Sequence, residues 1–208
     1  KLTKIPILGD VAIAHNLKNG ERAIVVKENS NSMMDETFRS IRTNLQFTLD
    51  GPDKKVIQFT SSSSGEGKTF VSSNIAMSLA LLGKKVILVG LDIRKPRLAN
   101  IFDLNDQKRG LTTFLSSNPN DKELLFQQIM PSGVNANLDI LPAGIVPPNP
   151  AELLSRVNLD NAIAFLKEKY DYIILDTAPV GLVSDTLIIA RVADATVYIC
   201  RADYTPKN

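Results

Sequence analysis

"SSSSGEGKTF", residues 61–70, follows the apolar run "KVIQF" (55–59) and precedes "VSSNIAMSLALLG" (71–83). A strand, a small-residue loop and then a helix is the setting in which G-x-x-x-x-G-K-[ST] binds phosphate. Gly67, Lys68 and Thr69 are in place, but Ser62 stands where the first glycine belongs. A phosphate needs inward-pointing N–H groups, a helix N-terminus behind it and a cation. Gly65 and Gly67 permit close backbone approach. Lys68 opens the helix within reach of β and γ oxygens, and Thr69 offers a hydroxyl to Mg²⁺. The competing reading is a flexible Ser/Gly connection with no ligand.

Strands and helices alternate through the rest of the chain. Strands are predicted at "KVIQFT" (55–60), "KVILVGL" (85–91), "NLDILPAG" (137–144, running into a loop), "DYIILDT" (171–177) and "ATVYICR" (195–201). Helices are predicted at 68–83, closed by Gly83, and at 121–129, 158–170 and 185–192. Near-continuous apolar strands between helices imply an α/β fold, a doubly wound, mostly parallel sheet covered on both faces. Ligands in such folds gather beyond the carboxyl ends of the strands. Upstream, Pro6, Gly9 and Gly20 break the first 30 residues into irregular chain. Phe38, Ile41, Leu45 and Leu49 then fall at helical spacing, which predicts a helix over 34–49 ended by Gly51-Pro52. There is no internal repeat, and "PPNP" (147–150) reads as a rigid turn.

The 208 residues suit one substantial domain, or one domain with an added arm. With 44% apolar and 22% charged residues, an ordinary soluble core is expected. A net charge of +2 gives no broad electrostatic reason to expect nucleic acid. No signal peptide and no apolar run of about 18 residues are visible, so no membrane span is expected within the chain. The one cysteine, Cys200, reads as a buried strand thiol in a reducing compartment. His15 reads as a loop residue, with no second His or Cys nearby to share a metal.

Two further strand ends carry charge. "DYIILDTAP" (171–179) puts Asp176 at the end of a buried strand, where a carboxylate is costly without a partner. A hydrated Mg²⁺ would supply one; capping of a local turn is the alternative. "KKVILVGLDIRKPRL" (84–98) ends a strand with Asp92, followed by Arg94, Lys95 and Arg97. Taken alone, it could be a strand entering a solvated basic turn.

In this order, "SSxxGEGK[ST]", "xDxRxP" and "DTxP" resemble the bacterial tyrosine kinase (BY-kinase) family, the cytosolic kinase domains of polysaccharide co-polymerases. "LPAGIVPPNPAELL" (141–154), "SDTLIIARVADATVYICRADYT" (184–205) and "IPILGDV" (5–11) are also similar to that family. The resemblance implies a P-loop NTPase with a deviant Walker A motif, using ATP and Mg²⁺. It assigns Ser63, Ser64, Gly65, Glu66, Gly67, Lys68, Thr69 and Phe70 to the nucleotide, with Arg201 near it. Thr69, Asp176 and Asp92 fall to the metal, and Lys68, Asp92 and Asp176 to catalysis. "ETFRSIRTNLQF" matches the family's E-x-x-R-x-x-R ring-assembly pattern at Glu36, Arg39 and Arg42. Spacing of three residues twice is expected to keep these on one exposed stripe, free to meet a neighbour. Without the resemblance the helix reads as a surface i,i+3 ion-pair helix.

Further implications concern the whole system. Residues 1–30 would be a juxtamembrane-like segment and 31–208 the kinase domain. Phosphorylation would occur in trans within a ring, at the cytoplasmic face of a bacterial membrane. A transmembrane co-polymerase segment, fused or separate, and an opposing tyrosine phosphatase are the implied partners; "IPILGDV" favours fusion. The sequence departs from the family in three ways. Gly90 replaces the first aspartate of D-x-D-x-R, and Ser64 stands where proline is common. A tyrosine-rich tail, with the fold's final helix and strand, is missing from the pattern, which suggests a shortened domain. Tyr170, Tyr172 and Tyr198 are expected to pack around strands, leaving Tyr204 as the acceptor candidate. Two alternatives stay open: an ATPase switch of the cell-division and partition class, and an assembly module disabled by Gly90. Ser63 argues against the first, because that class places a lysine there.

Overall fold

The computed structural model describes residues 5–12, 23–49, 51, 53–106 and 108–205. His15, Gly20 and Pro52 lie outside the described residues. Six strands form one sheet: β1 (Val56–Ser61), β2 (Val86–Gly90), β3 (Met130–Pro131), β4 (Leu138–Leu141), β5 (Tyr172–Asp176) and β6 (Ala195–Ile199). Their order is β3-β4-β2-β5-β1-β6. All neighbours are parallel except the two-residue β3, which pairs antiparallel with β4.

Residues along the strands alternate between two cores. Ile57, Phe59, Leu88 and Ile174 meet α1 (Met33–Thr48) and α2 (Lys68–Ala80) on one face. Val56, Ile87, Val89, Ile173 and Leu175 face α4 (Leu111–Leu115), α5 (Lys122–Gln127), α6 (Pro150–Ser155), α7 (Val157–Lys169) and α8 (Asp185–Ile189). The remaining helix, α3 (Leu98–Ile101), packs Leu98 into the first core. This is the doubly wound arrangement expected of strands that are apolar on both faces.

The main elements lie within a few residues of their predicted bounds. Helix α2 stops at Ala80, three residues short, and Gly83 (φ 76°) finishes the turn. The predicted helix 185–192 divides into α8 and a 3₁₀ turn, Ala190–Val192. Pro148 ends no element; the "PPNP" run leads into α6, with Pro150 in its first turn.

Three expectations are corrected. Cys200 lies just past β6 and is exposed. Tyr198 is also exposed, at 48%. The cause is shared: among the described residues β6 is an outer strand of the sheet with no strand on its far side, and its residues are only half covered. Arg42 is buried, and its Nη1 donates to Ser78 O and Oγ at 2.8 and 3.1 Å. Two three-residue steps carry Arg42 about 120° around α1 from Glu36 and leave it about 40° from Phe38. It therefore joins the inward stripe of Phe38, Ile41 and Leu45. Glu36 and Arg39 remain exposed and pair with each other.

Near the start of the described chain, Asn74 of α2 is fully buried and holds a strap of backbone. Its Oδ1 accepts from Val25 N (2.8 Å) and Val26 N (3.2 Å), and its Nδ2 donates to Ala23 O (2.9 Å). Ile24 and Val26 join the first core. Residues 23–26 are thus irregular but packed.

Candidate functional site

The sheet order places the carboxyl ends of β1, β5 and β2 side by side. The phosphate loop follows β1, Asp92 follows β2, and Asp176 ends β5. Register tightens the grouping: Asp176 pairs with Phe59 on one side and Gly90 on the other. Leu91 N and Asp92 N both donate to Asp176 O, at 2.8 and 3.0 Å. A cleft of about 410 Å³ opens above these ends.

The loop answers the question raised by Ser62. Only Gly65 (φ 88°) and Gly67 (φ 95°) adopt left-handed backbone in it; Ser62 does not. A glycine is therefore not required at position 62. Gly67 caps α2, whose first turn carries Lys68 and Thr69. Ser64, Gly65, Gly67, Lys68, Thr69 and Phe70 line the cleft, as do Asp92, Arg94 and Lys95. Phe70 also stacks edge-on against Phe38 at 5.9 Å, tying the loop's end to α1.

Asp176 is 3% exposed, and its Oδ2 accepts a 2.8 Å hydrogen bond from Thr69 Oγ1. Burial pushes its carboxyl up to about 6, against the hydrogen bond from Thr69 and the attraction of Lys68. Asp92 adds to the rise by like charge. This is a costly carboxylate with a hydroxyl beside it at a loop built for phosphate. Hard oxygen donors of this kind fit a hydrated Mg²⁺. Asp92 Oδ1 accepts from Lys95 N at 3.0 Å, which shapes the turn at the cleft mouth.

Other predicted residues lie differently. The Glu66 side chain turns into the loop and accepts from Ser63 N at 2.7 Å. Arg201 is exposed and reaches the loop through Gly65 O, at 3.1 Å, without lining the cleft. At Gly90, a Cβ would stand 3.1 Å from Ala143 N and 3.3 Å from Leu98 Cδ1. The position of the missing aspartate is closely packed, beside Asp176.

Several residues escaped the sequence. Asp185, 1% exposed, receives a two-pronged bond from Arg94: Nε to Oδ2 at 2.6 Å and Nη2 to Oδ1 at 2.9 Å. That pair anchors Arg94 at the cleft. Asp185 could have been flagged only as a carboxylate opening a predicted helix, a signal shared by many surface residues. Thr205 and Tyr204 contact the phosphate loop, a role no sequence signal gives them; the sequence singles out Tyr204 only as an acceptor.

Comparison with known proteins agrees with this construction. A family profile described as "AAA domain" matches residues 54–203. The tyrosine-protein kinase CpsD of Streptococcus agalactiae is 37% identical over 174 residues, covering 84% of this chain and 73% of CpsD. The tyrosine-protein kinase YwqD of Bacillus subtilis is 34% identical over 188 residues, covering 90% of this chain and 77% of YwqD. Among solved structures, the kinase domain of Escherichia coli tyrosine kinase ETK superposes with a TM-score of 0.83. It is 27% identical, with 94% of this chain and 77% of that domain covered. With a phosphate loop, two acidic strand ends and these relatives in agreement, the chain belongs to the bacterial tyrosine kinase family, on a P-loop NTPase fold.

Proposed function

We propose that the chain transfers the γ-phosphoryl group of ATP to tyrosine hydroxyls, including those of neighbouring copies in a ring, and so regulates capsular or exopolysaccharide synthesis and export. The observation that carries this reading is the Thr69–Asp176 pair, a buried carboxylate and a hydroxyl 2.8 Å apart at the mouth of the phosphate loop. In this reading the loop N–H groups and Lys68 hold the β and γ phosphates. Thr69 and Asp176, with Asp92 nearby, would hold Mg²⁺, directly or through water. When bound, the metal would neutralise phosphate charge. Asp92 orients the acceptor hydroxyl and takes its proton. The tyrosine oxygen forms the new P–O bond as the bond from γ-phosphorus to the bridging oxygen breaks, and ADP leaves with those electrons. Rate enhancement in such a transfer comes mainly from positioning and charge neutralisation.

The exposed Glu36–Arg39 face of α1 would meet the neighbouring copy, while Arg42 supports α1 from inside. A membrane-spanning co-polymerase segment and an opposing phosphatase complete the proposal, at the cytoplasmic face of a bacterial membrane. No helix among the described residues is long and apolar enough to cross a membrane, so the anchoring would come from that partner segment. The test follows γ-labelled Mg-ATP with a tyrosine-rich acceptor peptide and Asp176→Asn as control. Label on peptide tyrosine, absent in the control, is expected. Free phosphate with no labelled tyrosine would replace the kinase by an ATPase switch.

A further inference from the structure

The chain after β6 folds back onto the phosphate loop. Three of its side chains end on three consecutive loop residues. Tyr204 donates its hydroxyl to Ser64 O at 2.9 Å, and Arg201 Nη1 donates to Gly65 O at 3.1 Å. The Thr205 hydroxyl bonds Glu66 Oε1. The turn is braced internally: Arg201 N donates to Thr205 Oγ1 at 2.8 Å, and Thr205 N donates to Arg201 O at 2.9 Å. The Arg201 guanidinium also stacks 5.0 Å over the Tyr204 ring.

From this geometry we propose that the Arg201–Thr205 turn is a positioning element that presets the phosphate loop, so that Tyr204 and Thr205 set nucleotide affinity. The inference rests on the nucleotide reading of the site. In a trans peptide the N–H points opposite to the C=O. Tying the Ser64 and Gly65 carbonyls to the turn therefore aims the Gly65 and Glu66 N–H groups away from it. A loop with two left-handed glycines is costly to order when a ligand arrives. The turn imposes that order beforehand, and preorganisation raises affinity.

Glu66 supplies a second reason. Its carboxylate is 4% exposed and sits in the loop that must receive phosphate. Burial alone would raise its pKa, but hydrogen bonds from Ser63 N and Thr205 outweigh it and hold the group below the usual range. It is therefore charged, and Thr205 draws that charge toward the turn. Loss of the Thr205 hydroxyl leaves a buried anion free to oppose the phosphates.

The experiment titrates a fluorescent ADP with Mg²⁺ into the parent, Thr205→Val, Thr205→Ser, Tyr204→Phe and the Thr205→Val/Tyr204→Phe double variant. Melting temperatures without nucleotide and the ATP KM and kcat accompany the titration. Each lost hydroxyl should weaken ADP binding about fivefold, the equivalent of one net hydrogen bond. With a peptide tyrosine as acceptor, KM for ATP should rise while kcat is retained, and Thr205→Ser should recover parental affinity. A parent that binds with a double variant that binds equally well would overturn the inference. So would failure of serine to rescue, or a loss of ligand-free stability that tracks the loss of affinity. A parent that binds no ADP would overturn the nucleotide reading itself.

Discussion

Asp176→Asn should make the ligand-free protein more stable and inactive at once. The folded carboxyl titrates near 6 against 3.8 ordinarily, burial being the largest cause. Between those values the unfolded chain has released its proton while the folded chain keeps it. Stability is therefore lost as pH rises from about 4 through 6, and the full penalty persists above. A rise of about two units corresponds to about 3 kcal/mol, with the attraction of Lys68 already included. Asparagine carries no charge, and its amide oxygen still accepts from Thr69. The variant should exceed the parent by about 3 kcal/mol at pH 8, with the gap closing toward pH 4. For a chain of this size that is about 6–12 °C in Tm. Thermal unfolding in chelator from pH 4 to 8 measures it. Mg-ATP should then narrow or reverse the order, because only the parent keeps its full set of ligand contacts. Equal melting temperatures at pH 8, or a gap that does not change with pH, would refute the reasoning.

Lys68→Met should abolish phosphoryl transfer and lower the ligand-free Tm at pH 8, where the Asp176 carboxylate loses the attraction of Lys68, with the difference closing toward pH 4; a fall that does not change with pH would assign Lys68 a packing role. On α1, Arg42→Ala should cost about 1–3 kcal/mol in urea unfolding, because it removes a buried donor to Ser78. Glu36→Ala with Arg39→Ala should cost under about 0.5 kcal/mol, yet lower the mass seen in sedimentation at high concentration. Gly90→Asp should destabilise by about 1–3 kcal/mol without raising turnover, because its Cβ would crowd Ala143 N and its charge would face Asp176. A gain in labelled tyrosine would show that the missing carboxylate limits catalysis.

The sheet was readable because β1, β2 and β5 are apolar on both faces, which leaves few alternatives to a covered parallel sheet. The phosphate loop and both acidic strand ends were readable because their chemistry depends on spacing along the chain. Some short helices were not: α5 and α8 were foreshadowed by longer apolar patterns, but α3, α4 and α6 have four to six residues, too few to show a period. Burial at the sheet's edge also hid from view, since the string around Cys200 is as apolar as a central strand's. Arg42 was misplaced by grouping charges three apart, when angle around the helix put it beside Phe38. Contacts between distant residues, such as Arg94 with Asp185 or Thr205 with Glu66, separated by 91 and 139 positions, become visible only once the fold is known.

The position of β1 has a consequence for how the protein is made. Its two neighbours are β5 and β6, paired from Val56↔Ile173 through Ser61↔Ile199. A nascent chain therefore releases the phosphate-loop strand early and must hold it without partners while more than a hundred further residues emerge. Such long-range pairing is slow to close and leaves an apolar strand exposed to wrong partners in the interval. The site is thus completed only after β6 has emerged: a ribosome that stalls before β6 yields a chain with one side of β1 bare and the loop without its turn.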